Sequence, residues 1–111
     1  MDEFAALADP IRRQIIEMLA TRGRLSATEI ARQFSVTPQA ISHQLKILRE
    51  ANLVQMERQA QQRIYQINTN AILKLETWAK QVTELWEHRY RSLSELLEEQ
   101  KSKEAQKGEQ V

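Results

Sequence analysis

The chain of 111 residues has no cysteine, and it has only two glycines and two prolines. Without cysteine it can form no disulfide, thiolate metal site or thiol redox centre. No apolar run approaches the roughly 18 residues of a membrane span, and the first residues lack the basic and apolar segments of a signal peptide. We therefore expect a soluble, cytoplasmic protein without a membrane partner, built mainly of helices in one domain.

The few glycines and prolines lie where helices begin or end. Asp9 and Pro10 are typical of an N-cap and a first helical position, because the missing N–H of proline is not needed there. Gly23 is typical of a C-terminal stop. The pattern predicts a helix from Pro10 to about residue 22, with a shorter helical piece over residues 2–7 before it.

Two further helix starts follow closely. Ser26 and Glu29 are spaced as a capping box, in which each side chain bonds the backbone N–H of the other residue. The short helix that they begin is predicted to end near Phe34. Thr37 then caps, and Pro38 opens, a second helix that is predicted to run to Asn52 after a three-residue turn.

A β-hairpin is predicted after the second of these helices, because residues 53–58 and 63–67 alternate with period two around a polar loop. Two helices joined by a short turn and followed by a hairpin form a helix-turn-helix with a β-wing. The predicted fold class is mainly α with a β-hairpin wing, and the DNA-binding core spans about residues 10–67. In such a fold the second helix can enter the major groove of DNA.

Four motifs run through these elements, namely F-A-A-L-A-D-P-I-R-R from Phe4, T-E-I-A from Thr28, A-I-S-H-Q-L-K-I-L-R-E-A-N-L-V from Ala40 and R-I-Y from Arg63. They resemble the ArsR/SmtB family of winged helix-turn-helix repressors, and the match covers about residues 4–68. The resemblance implies a bacterial homodimer that represses transcription from operator DNA and is often released by a ligand.

In three places the chain departs from the family pattern, which commonly has glycine there. Ser35 lies in the turn between the two helices, Ala60 in the turn of the wing, and Asn52 at the stop of the second helix. Ser35 and Ala60 affect the expected geometry of their loops. Asn52 should change the end of its helix little, because asparagine tolerates the left-handed conformation.

The net charge of +1 conceals an uneven distribution. Residues 12–64 contain nine basic and four acidic side chains, a net charge of +5, so the rest of the chain carries −4. DNA affinity depends largely on neutralising phosphates. This distribution therefore indicates a basic DNA-reading segment on an acidic body, although an ordinary solvated surface is the alternative.

The second helix of the helix-turn-helix has one face left for DNA, because Ile41, Leu45 and Leu48 must face the core. Recognition helices read bases with their N-terminal residues, whereas phosphate contacts position the protein. The predicted base contacts are Gln39, Ala40, Ser42 and His43. The predicted phosphate contacts are Thr37, Lys46 and Arg49 on the helix and Arg58, Gln61, Gln62 and Arg63 in the wing. Solvated charge without a DNA contact is an equal alternative for the wing arginines.

A long final helix is predicted to begin after Asn68 or Asn70 and to span residues 69–97, followed by a polar, flexible tail over residues 98–111. A single domain of this size is too small to bury the whole apolar stripe of this helix, so we expect a homodimer. The alternative, packing on its own domain, applies to part of the stripe. The predicted dimer interface comprises Phe4, Leu7, Leu75, Trp78, Val82, Leu85, Trp86, Tyr90 and Leu93.

No metal or cofactor is predicted. Metal-sensing members of the family use cysteines near the reading helix, or histidines and carboxylates on the final helix. This final helix offers Glu84 and His88 one turn apart, but a single histidine falls short of a zinc ligand set. The protein is therefore expected to respond to an unidentified small organic effector, or to have no effector.

A protein-interaction module without DNA binding is the alternative function, since a winged helix can bind proteins through the same helix. The basic reading segment argues against it. An enzyme is not predicted, and no residue is assigned a catalytic role, because there is no cysteine, no second histidine near His43 and no phosphate-cradling glycine loop.

Overall fold

Within residues 1–109, which the computed structural model describes, helices and strands follow one another in the order predicted for a winged helix-turn-helix. The helices are α1 (Glu3–Ala6), α2 (Pro10–Arg22), α3 (Ala27–Ala31), α4 (Pro38–Glu50) and α5 (Thr69–Glu109), and the strands are β1 (Leu25–Ser26), β2 (Val54–Gln59) and β3 (Gln62–Ile67). The chain divides into two units, Met1–Leu75 and the residues from Glu76 onward. The predicted fold class is confirmed.

Helix α2 has the predicted ends. The Asp9 carboxylate accepts hydrogen bonds from the backbone N–H groups of Ile11 at 2.7 Å and Arg12 at 3.3 Å. Pro10 is the first helical residue, and Gly23 ends the helix with a φ of 85°. Glycine suits this position because a side chain would be strained at positive φ.

Helix α3 begins with the predicted capping box. The Ser26 hydroxyl accepts from Glu29 N–H, and the Glu29 carboxylate accepts from Ser26 N–H, both at 3.1 Å. The bond from Ser26 N–H, together with one from the Ser26 side chain, favours the ionised carboxylate and holds the pKa of Glu29 below its usual value. The helix ends at Ala31, three residues before the predicted end near Phe34, because the N–H groups of Gln33 and Phe34 bond in tighter three-residue turns.

Helix α4 begins as predicted, with the Thr37 hydroxyl accepting from Ala40 N–H at 3.1 Å. At its end, Leu53 N–H donates to Leu48 O and Asn52 N–H donates to Arg49 O, each at 3.0 Å. This pair of bonds is the Schellman arrangement, and Asn52 supplies its left-handed residue with a φ of 62°. Asparagine therefore takes the place of the glycine common in the family.

The wing belongs to a three-stranded antiparallel sheet with the order β1-β3-β2. Strand β1 was not predicted; it has two residues, too few to show an alternation, and Leu25 lies opposite Tyr65. The paired strands β2 and β3 reach Gln59 and Gln62, so the loop predicted over residues 59–62 shrinks to a two-residue turn. Ala60 in this turn has a φ of 55°.

The first unit has one hydrophobic core, to which α4 contributes the predicted stripe of Ile41, Leu45 and Leu48. Tyr65 of β3 is buried in the same core. Asn68 rather than Asn70 precedes α5, and its carbonyl accepts from Ala71 N–H at 3.1 Å. The start of α5 is thus joined to the core of the winged helix.

The second unit is the continuation of α5, which reaches Glu109. The flexible tail predicted from residue 98 is therefore corrected to helix as far as Glu109, while residues 110 and 111 lie outside the described residues. The physical reason is local: this stretch is rich in glutamate, glutamine and lysine, which are good helix formers. A polar composition is compatible with an exposed helix as well as with a flexible tail.

Candidate nucleic-acid interface

Helix α4 presents two chemically different faces. Its apolar side chains are buried, whereas the predicted DNA contacts Gln39, Ser42, His43, Lys46 and Arg49 are all exposed. Ala40 is half-buried at the edge of this face, and Thr37 is exposed at the helix N-terminus while its hydroxyl caps the helix. The exposed face offers amide, hydroxyl, imidazole and cationic groups, which suit base edges and phosphates.

A cleft of about 610 Å³ separates this face of α4 from the wing. Its lining includes three cationic side chains and one carboxylate, so its charge favours an anion. The lining residues are Ser42, His43, Lys46, Arg49, Glu50, Arg63 and Tyr65. The structure thus brings together five predicted DNA contacts from two elements that are well separated in sequence.

The four predicted wing contacts are all exposed at the far end of the hairpin. Gln61 lies in the turn, and Arg58 and Arg63 are directly opposite each other across the two strands. Gln62 pairs with Gln59 beside them. Residues opposite each other share a face of the sheet, so Arg58 is on the same face as Arg63, which lines the cleft.

An ion pair connects β2 with the segment before β1. The Arg24 guanidinium contacts the Glu57 carboxylate at 2.7 Å, and both side chains are largely exposed. An exposed pair of this kind contributes little to stability. It does, however, neutralise one of the nine basic residues of the segment, and sequence reasoning missed it because the partners are 33 residues apart.

Arg12 does not belong to the charged surface either, because its side chain is buried and the residue is only 8% exposed. Its guanidinium donates to Gln44 Oε1 at 2.7 Å and to the carbonyl of Ala6. The basic surface that sequence counting assigned to residues 12–64 is therefore smaller than predicted. Its exposed cations include Lys46 and Arg49 on α4 and Arg58 and Arg63 in the wing.

The predicted dimer residues have different surroundings. In the first unit Leu7 and Leu75 are half-buried against the core, while Phe4 is exposed. In the second unit the remaining predicted residues are between 45% and 71% exposed. At 100° per residue these positions fall within one broad face of α5, and Leu96 and Leu97, also exposed, extend it.

No three histidine, cysteine or carboxylate side chains among the described residues are grouped so as to hold a metal ion. None of the helices in this part of the chain is long and apolar enough to cross a membrane.

The fold and the exposed face of α4 define a winged helix-turn-helix protein. A family model described as a helix-turn-helix domain matches residues 7–57. The transcriptional repressor SdpR of Bacillus subtilis is 35% identical over 75 residues, which are 68% of this chain and 82% of that protein. An HTH-type transcriptional regulator of Mycobacterium tuberculosis is 36% identical over 85 residues, covering 72% of this chain and 78% of its own length.

Solved structures give the same result. An ArsR-like transcriptional regulator from Rhodococcus sp. RHA1 has a TM-score of 0.73 at 26% identity and covers 84% of this chain and 87% of its own. The crystal structure of an ArsR family transcriptional regulator has a TM-score of 0.70 at 28% identity, with coverages of 76% and 86%. The chain belongs to the ArsR/SmtB family of winged helix-turn-helix transcriptional regulators, and it is a DNA-binding regulator, not an enzyme.

Proposed function

We propose that the protein is a homodimeric, sequence-specific repressor that binds a palindromic operator in double-stranded DNA. The observation that carries the proposal is the cationic cleft between α4 and the wing, which joins five of the predicted DNA contacts. Neutralising phosphates supplies affinity, while neighbouring uncharged groups on α4 supply discrimination between bases. In this proposal residues 10–67 form the DNA-binding core and residues 69–97 the dimerisation helix.

Base recognition is assigned to the N-terminal half of α4. Gln39 can bond an adenine through its amide, and Ser42 and His43 can donate to or accept from base edges. The half-buried Ala40 offers a methyl group for contact with thymine. All four residues lie on the first two turns of the helix, the part of a recognition helix that reads bases, and Gln39, Ser42 and His43 are exposed there.

Phosphate binding is assigned to the rest of the interface. Lys46 and Arg49 line the cleft from α4, and Arg63 lines it from β3. Thr37 at the start of α4 and Arg58, Gln61 and Gln62 around the wing tip complete the set. Arg58 and Arg63 repel each other across the strands, and a phosphate between them would relieve that repulsion. This supports wing contact with DNA.

The dimer is supported by the apolar face of α5. From Val82 to Leu97 this face carries six large apolar or aromatic side chains besides Val82 itself, each at least 45% exposed. A contiguous exposed apolar surface of this kind marks an association site. A second copy is the proposed partner, because two-fold symmetry would present two α4 helices to two half-sites of a palindrome.

The proposal is tested by selecting binding sites from random-sequence double-stranded DNA. We expect an imperfect palindrome, bound with an affinity that falls on the order of a thousandfold between 50 and 200 mM salt. No palindromic preference would contradict the proposal. Salt-insensitive binding to a protein partner, without DNA affinity, would support the interaction module instead.

Matched variants separate the two kinds of contact. His43→Ala or Gln39→Ala should relax base preference at one position of each half-site, by about 1–3 kcal/mol. Lys46→Ala should weaken binding to all sequences alike and reduce the salt slope by about 1. If His43→Ala and Gln39→Ala behaved like Lys46→Ala, the assignment of base contacts would be wrong.

A further inference from the structure

Arg12 is a buried cation that none of the DNA contacts uses. It lies in the first turn of α2, and it is 8% exposed, whereas the neighbouring Arg13 is exposed. Burying a charge is costly unless it is paired and hydrogen-bonded. The contacts of Arg12 must therefore compensate for its removal from water.

The guanidinium of Arg12 contacts two other helices and the N-cap of its own helix. Its Nε donates to the carbonyl of Ala6 at the end of α1, and one Nη donates to Gln44 Oε1 of α4 at 2.7 Å. The same Nη is 3.9 Å from a carboxylate oxygen of Asp9, the N-cap of α2. The other Nη is 3.5 Å from the carbonyl of Ala5. A planar group with five N–H donors can satisfy several acceptors at fixed angles, which lysine cannot do.

Gln44 is the half-buried residue of α4 that receives this bond, and it directly follows His43. The other buried contacts of α4 are the apolar side chains Ile41, Leu45 and Leu48. This apolar stripe determines which side of α4 faces the core. A short hydrogen bond from a charged donor is directional, so the bond to Gln44 further restrains rotation of α4 about its axis.

We propose that Arg12 is a positioning residue for DNA recognition, which holds α4 against α1 through Gln44 so that the base-reading side chains keep their orientation. The inference rests on the proposed function, because it concerns the accuracy with which α4 meets an operator. Arg12 itself touches no DNA. It also makes α1 part of the recognition apparatus, since the Ala6 carbonyl and Gln44 are held by one side chain.

The test compares Arg12→Gln with Arg13→Gln, which removes the same charge from an exposed site on the same helix. Each variant is titrated with the selected operator and with random-sequence DNA over a range of salt concentrations. Arg12→Gln should lower the ratio of operator to random-sequence affinity by about tenfold, as expected for loss of one charge-assisted bond. Its salt slope should be unchanged, because no phosphate contact is lost. Arg13→Gln should leave the ratio unchanged.

A second variant covers the case in which Arg12→Gln does not fold. Gln44→Met keeps the size of the side chain but removes the acceptor, so it should lower the same ratio by a similar factor. Gln44→Glu should restore it, because a carboxylate also accepts from the guanidinium. Combining Arg12→Gln with Gln44→Met should lower the ratio no further than either change alone. Melting curves identify the temperature at which every variant used is fully folded.

The outcomes separate the two proposals. If the unaltered protein prefers an operator and Gln44→Met keeps the full ratio, the inference about Arg12 is overturned alone. A salt slope that falls by about 1 in Arg12→Gln would also overturn it, because Arg12 would then be a phosphate contact. If the unaltered protein prefers no sequence, the proposed function fails, and the inference fails with it.

Discussion

Arg58 and Arg63 lie directly opposite each other near the tip of the hairpin, so two like charges share one cross-strand position. Like charges directly opposite each other destabilise a sheet. A hairpin optimised for stability alone would place an opposite charge or an apolar residue at one of these positions. The arrangement is therefore better explained by a polyanionic partner than by the folding of the wing.

Arg58→Thr should accordingly separate stability from DNA binding. We expect the free energy of unfolding to rise by about 0.5 kcal/mol at low salt, because the repulsion is removed and threonine suits a strand. The gain should shrink at high salt, where the charges are screened. DNA affinity should fall for all sequences, with a salt slope reduced by about 1. Urea denaturation and DNA titration measure the two effects.

The ion pair of Arg24 and Glu57 supplies the control for this prediction. Glu57→Gln removes a charge from the same strand but breaks an exposed attractive pair instead of a repulsive one. It should change stability by less than about 1 kcal/mol and in the destabilising direction. If Arg58→Thr lost as much stability as Glu57→Gln, the inferred repulsion between Arg58 and Arg63 would be contradicted.

Ala60→Gly should stabilise the wing. Ala60 has a φ of 55°, a conformation that costs a residue with a Cβ roughly 1–2 kcal/mol. Glycine removes this cost but loses part of the gain through its greater freedom in the unfolded chain. We expect a net gain of about 0.5–1 kcal/mol in thermal or urea unfolding. Gln61→Gly, at a position without positive φ, should lower stability; a gain there would show that strain at Ala60 is not the cause.

The sequence predicted those features that local chemistry determines. Asp9, Ser26, Glu29 and Thr37 are caps whose partners lie two or three residues away, so their pattern is visible in the chain itself. The faces of α4 were predictable for the same reason, because the apolar stripe repeats at helical spacing. The exposed part of the candidate interface could therefore be named residue by residue.

Features that depend on distant contacts could not be predicted in this way. Arg12 looks like any surface arginine until α4 brings Gln44, 32 residues away, beside it. Strand β1 has only two residues and forms because β3 is there to pair with it. In both cases the decisive partner is set by packing, which leaves no periodic signal along the chain.

Acidification should weaken the start of α3 through Glu29. Its pKa is lowered in the folded state by hydrogen bonds from Ser26, so its ionised form stabilises the fold. That contribution is complete above the ordinary value of 4.5 and is lost as the pH falls through the lowered folded-state pKa. Glu29→Gln should therefore be less stable than the unaltered protein at pH 7, and the difference should disappear at low pH.

Ser26→Ala provides the control for the pH effect. Without the hydroxyl, the bond from the Ser26 side chain that helps to lower the pKa of Glu29 is missing, so the Glu29→Gln difference measured in that background should be smaller. Urea unfolding of the four proteins between pH 2 and pH 7 measures it. A difference that persisted unchanged at the lowest pH would show that charge on Glu29 is not its source.

Leu93→Glu should dissociate the proposed dimer. Leu93 is near the middle of the apolar face of α5 and is 51% exposed in the single chain. Its burial against a second copy would place an unpaired carboxylate in an apolar interface, which costs several kcal/mol. Lys80→Glu places the same carboxylate on the opposite face and should leave the dimer intact. Light scattering should give the mass of one chain for Leu93→Glu and of two chains for Lys80→Glu.

Because a single α4 contacts only one half-site, the monomer should also lose most of its operator affinity. Two chains for Leu93→Glu would exclude this face as the interface.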